Sequence, residues 1–242
     1  MASVSCETVA TRLAAVLRAV NLAATEKSRA LPRVVAVCKT KPVEDILEAY
    51  RAGQRHFGEN YVRELILKSE DKRIVDEAPE IKWHFIGHLQ SNKCNAVAGI
   101  PNLWMVETVD SQKLADTLNS SCMKQQRQER LRVLVQVNTS CEERKSGCNP
   151  DDCVDLARHI IEQCDKLRFC GLMTIGQINY DYSQGPNPDF QSLIQCHHTV
   201  SEKLGIPVED LEVSMGMSAD YDHAIDAGST NVRIGSTIFG AR

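Results

Sequence analysis

Short apolar runs punctuate the chain at Val34–Cys38, Arg55–Gly58, Trp83–Gly87, Leu103–Glu107, Val133–Asn138, Phe169–Ile175, Leu211–Met215 and Val232–Gly235. Each has the length and apolar density of a buried strand. Amphipathic stretches fill the gaps. Pro42 to Ala52 carries Val43, Ile46, Leu47 and Tyr50 on one face, with Pro at its start and Gly53 closing it. Asp110 to Ser121 opens on an aspartate suited to an N-cap and carries Leu114 and Leu118. Pro150–Cys164, Phe190–Leu204 and Ala219–Ala227 repeat the helical period. Parallel strands need a crossover between neighbours, and alternating helices supply it. Eight such units fit an α/β protein built as one closed (β/α)8 TIM barrel, for which roughly 250 residues is typical. An open doubly wound sheet is the alternative, but it wants a glycine-rich turn after the first strand. That turn here is Lys39-Thr40-Lys41-Pro42. The expected organisation is a single domain over 1–242, with a barrel over about 33–240. An N-terminal helix over about 4–24 precedes it, with Val9, Leu13, Val16, Leu17 and Val20 at helical spacing.

Composition narrows the function classes. The 242 residues are 43% hydrophobic and 25% charged, an ordinary globular profile. A net charge of −4 gives no footprint for nucleic acid or an anionic membrane. No apolar run approaches the length of about 18 residues that spans a bilayer. The N-terminal segment lacks the apolar core and cleavage site of a secretory signal. The expected location is cytoplasmic. Arg12 and Arg18 leave a mitochondrial share open, against which Glu7 argues. The ten cysteines are scattered and form no C-x-x-C pair, which fits reduced thiols better than disulfides or zinc. His84 and His88 straddle a strand end rather than sharing a helix face, so no metal site is expected.

The candidate chemistry begins at Lys39, which ends the first apolar strand. Desolvating an ammonium depresses its pKa and frees the amine as a nucleophile, which suits a Schiff base with a carbonyl compound. The plain alternative is a lysine that reaches solvent past the strand end. In a barrel, ligands sit at the C-terminal strand ends, and the last two loops commonly bind phosphate. Here these loops read Ser214-Met215-Gly216-Met217-Ser218-Ala219-Asp220 and Arg233-Ile234-Gly235-Ser236-Thr237. Gly216 permits a tight turn, Ser218 and Ser236 offer hydroxyls, and Gly235 lets backbone approach a ligand. Alternation turns Val35, Val37 and Lys39 inward on strand one, and Asn231 and Arg233 on strand eight. Glu59, Asn60 and Glu107 are the possible counterparts, Glu107 also as a structural ion-pair partner. The loop Gln177–Asp189 is either a lid or a passive insertion. A phosphate cradle, a Schiff-base lysine and an inward arginine suit two ligands. One is a phosphorylated sugar, as in class I aldolases; the other is pyridoxal 5′-phosphate.

Six ordered motifs carry a family resemblance over nearly the whole chain. They are Ala36-Val37-Cys38-Lys39-Thr40-Lys41-Pro42, Phe57-Gly58-Glu59-Asn60-Tyr61, Trp83-His84-Phe85-Ile86-Gly87-His88-Leu89-Gln90, Gly171-Leu172-Met173-Thr174-Ile175, Ser214-Met215-Gly216-Met217-Ser218 and Asn231 to Gly240. Together they resemble the pyridoxal phosphate homeostasis proteins (the proline synthase co-transcribed homolog family), and Ser183 to Phe190 looks like the animal branch. The resemblance implies a barrel like the alanine racemase N-terminal domain, with pyridoxal 5′-phosphate as cofactor. It implies Lys39 as the Schiff-base lysine, Arg233 near the pyridine nitrogen, and Ser218, Gly235 and Ser236 at the phosphate. Asn60 completes the cofactor-binding set, with no catalytic or metal residue. Cys38 departs from the family's usual serine, and its expected role is packing. An arginine at the ring nitrogen stays cationic and cannot supply the proton that makes the ring a strong electron sink. The expected function is therefore to hold and deliver the cofactor in vitamin B6 homeostasis without strong catalysis. Partners would be dependent apoenzymes, and the protein would be a monomer. The alternatives are a racemase or lyase using the same cofactor and, more distantly, a phosphosugar aldolase.

Overall fold

All eight apolar runs become parallel strands in the computed structural model, which describes residues 7–140, 142, 145–177 and 180–241. In chain order the elements are α1 (Val9–Glu26), β1 (Arg33–Val37), α2 (Val43–Arg51), β2 (His56–Glu59), α3 (Val62–Ser69), α4 (Lys72–Glu77), β3 (Lys82–Phe85), α5 (Cys94–Ala98) and β4 (Leu103–Val109). Then follow α6 (Gln112–Lys124), β5 (Leu131–Gln136), α7 (Cys153–Gln163), β6 (Leu167–Met173), α8 (Pro188–Leu204), β7 (Glu212–Met217), α9 (Tyr221–Ala227), β8 (Asn231–Ile234) and α10 (Ser236–Phe239). The strands pair in sequence order and β8 returns to β1, closing the barrel. Val35 stands opposite Arg233 across that closure.

Alternation divides the side chains as the sequence indicates. Val34, Ala36 and Cys38 on β1 and its end join Val232 and Ile234 on β8 in the apolar layer beneath the helices, where Leu13, Phe57 and Trp83 are also fully buried. Met105, Leu134, Cys170 and Met173 form a separate small cluster. Polar residues are buried as well: His84, Glu107, Ser214, Asn231 and Arg233 each have at most 4% exposure.

Several element boundaries differ from the sequence reading. Residues 4–6 of the expected first helix lie outside the described residues; α1 starts after Thr8, whose side chain accepts from the Thr11 amide at 3.2 Å. Leu17 faces out, leaving Val9, Leu13, Val16, Val20 and Ala24 as the buried stripe. The cap of α6 is Ser111 rather than Asp110, its Oγ accepting from the Leu114 amide at 3.3 Å. Pro150 opens a 3-10 turn, and α7 begins only at Cys153. Asn187 caps α8, so the long loop ends earlier than Asp189. Gly216 lies within β7 rather than in a turn, at φ +90°. A Cβ there would meet Ala224 Cβ at 2.4 Å, so glycine lets α9 close onto the strand. The short α3, α4, α5 and α10 have no counterpart in the sequence reading, because one or two turns give too few apolar repeats to register a period.

Candidate functional site

A cavity of about 440 Å³ opens at the C-terminal strand ends, and Lys39, Asn60, Ser218, Arg233, Gly235 and Ser236 all line it. Lys41 adds a third cation, while Val37, Ile86, Met173, Ile175 and Met217 supply apolar walls. Among the described residues, no carboxylate, histidine or tyrosine lines it. The cavity therefore presents positive charge and hydrogen-bond donors beside apolar surface.

Buried partners fix the turn that carries Lys39. The Lys68 ammonium donates to the Cys38 carbonyl at 2.7 Å and to Glu59 and Glu64 at 2.6 Å each. Thr40 takes a left-handed φ of +62°, uncommon for a non-glycine residue. Its amide donates to Glu64 at 2.6 Å. Burial works against the Lys68 ammonium, but its ion pairs and hydrogen bonds with Glu59 and Glu64 outweigh it and hold its pKa above the ordinary lysine value. The Cys38 thiol lies 3.2 Å from Glu59 Oε1, and burial pushes its pKa well up. It therefore stays protonated and donates to the carboxylate. Cys38 is thus a hydrogen-bonding member of this network as well as a packing residue. Glu59 faces Lys68 rather than the cationic residues of the cavity.

The last two loops are tied together. The Gly235 amide donates to Ser218 Oγ at 3.1 Å, which leaves the hydroxyl proton for another acceptor. Ser236 begins α10, in which the Ile238 and Phe239 amides donate to the Gly235 carbonyl at 2.9 Å each, while those of Ser236 and Thr237 precede the first such bond. A Cβ on Gly235 would sit 3.2 Å from the Val37 carbonyl, so the small residue lets this loop lie against the end of β1. Asn60 is set by a close approach that only glycine allows: a Cβ at Gly87 would come within 2.0 Å of the Asn60 carbonyl oxygen. The Asn60 Oδ1 is buried with no partner among the described residues.

Arg233 is 4% exposed. Its Nη1 donates to Ser214 Oγ at 2.6 Å and its Nη2 to the Thr174 carbonyl at 2.8 Å. Ser214 passes its own proton to Glu107 Oε2 at 2.6 Å. The other Glu107 oxygen accepts from His84 Nδ1 at 2.6 Å and from Asn231 at 3.2 Å. His84 and His88 are thus far apart in role: His84 is buried in this chain, while His88 is largely exposed. Sequence reasoning missed Lys68 altogether and gave no role to Ser214 or Thr174; all three act through contacts between distant strands and helices. The loop residues Tyr182 to Asn187 do not line the cavity and pack instead near α8 and α9.

The barrel and the lysine at the end of its first strand define a class. The family model for the alanine racemase N-terminal domain matches residues 12–242. Within that class, the chain belongs to the pyridoxal phosphate homeostasis protein family. It is 57% identical to the protein of that name from Mus musculus over 211 residues, covering 87% of this chain and 77% of the relative. The Homo sapiens protein is 56% identical over the same length and coverage. The structure of PipY from Synechococcus elongatus with PLP bound superposes with a TM-score of 0.78 at 28% identity, covering 96% of this chain and all of that one.

Proposed function

We propose that this protein binds pyridoxal 5′-phosphate in the cavity at Lys39 and holds and delivers it, maintaining intracellular vitamin B6 supply without strong catalysis. The observation that carries the reading is the cavity lining: among the described residues it holds three cations, no carboxylate and an orphaned Asn60 oxygen beside apolar walls. This lining of cations, one acceptor and apolar wall fits a phosphorylated aromatic aldehyde. The homeostasis name of the mammalian relatives and the PLP bound in PipY support the same ligand. The bound group would supply an aldehyde that condenses reversibly with a primary amine, and a ring that accepts electrons when its nitrogen is protonated.

In this reading Lys39 provides the amine and so a retention that is covalent yet reversible. Ser218 and Ser236 hold the phosphate through their hydroxyls and the Ser236 amide, with Gly235 letting the backbone approach it, Asn60 borders the ring, and Arg233 faces the ring nitrogen. Arg233 stays cationic and supplies no proton there. A racemase also needs an acid–base group on the ring face away from the lysine. The lining supports holding over turnover, since among the described residues its ionisable side chains are those of Lys39, Lys41 and Arg233. We further place the protein in the cytoplasm, with a mitochondrial share, as a monomer that serves dependent apoenzymes. Eight free cysteines among the described residues, seven of them buried, support a reducing compartment. No described helix is long and apolar enough to cross a membrane.

The test is a visible spectrum of the purified protein, then borohydride reduction and peptide mapping. A Schiff-base band and a pyridoxyl label on Lys39, both lost in Lys39→Ala, are expected. A colourless protein that takes up no added pyridoxal phosphate overturns the reading. The alanine racemase class of the barrel favours one rival. Steady turnover of any amino acid, abolished by Lys39→Ala, would establish the racemase or lyase reading instead.

A further inference from the structure

Glu107 is fully buried on β4, inside the barrel and outside the cavity lining. A carboxylate there is costly, and an apolar residue of similar volume is often as good for stability. Each of its contacts leads to the cavity or braces the contact that does. Oε2 accepts from Ser214, which in turn accepts from Arg233 Nη1, both at 2.6 Å. Oε1 is held from the other side by His84 Nδ1 and Asn231 Nδ2. Behind them His84 Nε2 shares a 2.8 Å hydrogen bond with His56 Nδ1 near the opposite mouth of the barrel. One unbroken chain thus runs from that mouth to a guanidinium that lines the cavity.

We propose that Glu107, acting through Ser214, is a positioning residue that fixes the direction of the Arg233 guanidinium and balances its charge inside the barrel. A guanidinium has five N–H donors in a rigid fork. With Nη1 on Ser214 and Nη2 on Thr174, rotation about its last bonds is blocked and its remaining donors keep one aim. The balance also offsets one of the three cations, Arg233, Lys39 and Lys41, that line the cavity. Burial opposes ionisation of Glu107, but the His84 hydrogen bond, the Arg233 charge and the Ser214 hydroxyl overcome it and bring its pKa to about 2. The balancing charge is therefore present throughout the neutral range.

The effect on cofactor retention rests on the pyridoxal phosphate reading; the orientation of Arg233 does not. Two measurements separate them. In the ligand-free protein labelled with 15N-arginine, the Arg233 guanidinium resonances, assigned by their loss in Arg233→Lys, should show slow rotation. Glu107→Gln and Ser214→Ala should each speed it, while Ser214→Thr, which keeps the hydroxyl, preserves it. Unchanged rotation in a folded Glu107→Gln or Ser214→Ala protein overturns the proposal, and the serine variant serves if the buried glutamate variant does not fold. In the loaded protein, release of pyridoxal phosphate to excess scavenging amine should quicken about tenfold in Ser214→Ala, the loss of one hydrogen bond to a charged group. The double variant with Arg233→Lys should release no faster than Arg233→Lys alone. Additive effects would make Glu107 and Ser214 general supports of the fold and overturn their link to Arg233. A wild-type protein that binds no pyridoxal phosphate would sink the ligand assignment and leave the resonance test to decide the positioning role.

Discussion

Lys39 owes its placement to neighbours that never touch the cavity. Lys68 is 7% exposed at its side chain and bridges Glu59 and Glu64 while gripping the Cys38 carbonyl. Lys68→Met would strand two acidic groups, one of them fully buried, a change that typically costs about 3–5 kcal/mol. Urea denaturation should report that loss, and any folded remainder should label Lys39 more slowly with pyridoxal phosphate and borohydride. Gly87 makes a different kind of demand, because any Cβ there collides with backbone rather than a movable side chain. Gly87→Ala should destabilise by about 2 kcal/mol through overpacking and backbone shift. Arg233→Ala should leave capture at Lys39 intact while release quickens; unchanged release kinetics would count against its ring-nitrogen role.

Ser111 and Asp110 make a useful pair for α6. The hydroxyl of Ser111 accepts from the Leu114 amide, whereas Asp110 stands one residue outside the cap. Ser111→Ala should lower thermal stability by about 1 kcal/mol, and Asp110→Ala by much less, when melted side by side. Local sequence holds both oxygens at nearly equal claim, so the register of the cap emerges only with the backbone. The same limit governs the rest. The eight strands were legible because each is an apolar run closed by turn residues, and Gly235 and Ser218 stood out because small residues after strand ends are informative. The partners of Glu59 and Glu107 were not, since Lys68 lies on an unseen short helix and Arg233 is brought near Glu107 only by barrel closure. Gly216 looks like a turn residue in the sequence because β7 runs two residues beyond the apolar run.

The buried polar chain also shapes how the folded barrel meets acid. The Glu107 carboxyl titrates near 4.5 in an unfolded chain and at about 2 in the fold. Unfolded chains therefore bind that proton first, and the stability the ionised group contributes is complete above about 4.5 and lost as pH falls towards 2. His56 is pressed from 6.5 down to about 2, first by burial and then by His84, Arg33 and Lys82. It too takes its proton in the unfolded state first, so stability should decline from pH 6.5 downward, by at most about 1.4 kcal/mol per pH unit for this group. Urea midpoints at pH 7 and 5 should converge in His56→Asn; an unchanged difference would remove His56 from the account. Closure has a further effect, in the order of synthesis. Lys39 lies just past β1 and Arg233 in β8, and these strands are direct neighbours. Arg12 of α1 also donates to the Ile238 carbonyl at 2.7 Å. A chain still emerging from the ribosome has its amine long before it has the other half of the cavity. It must keep β1 unpaired on one side until β8 leaves the exit tunnel, so ligand capture reports a closed barrel.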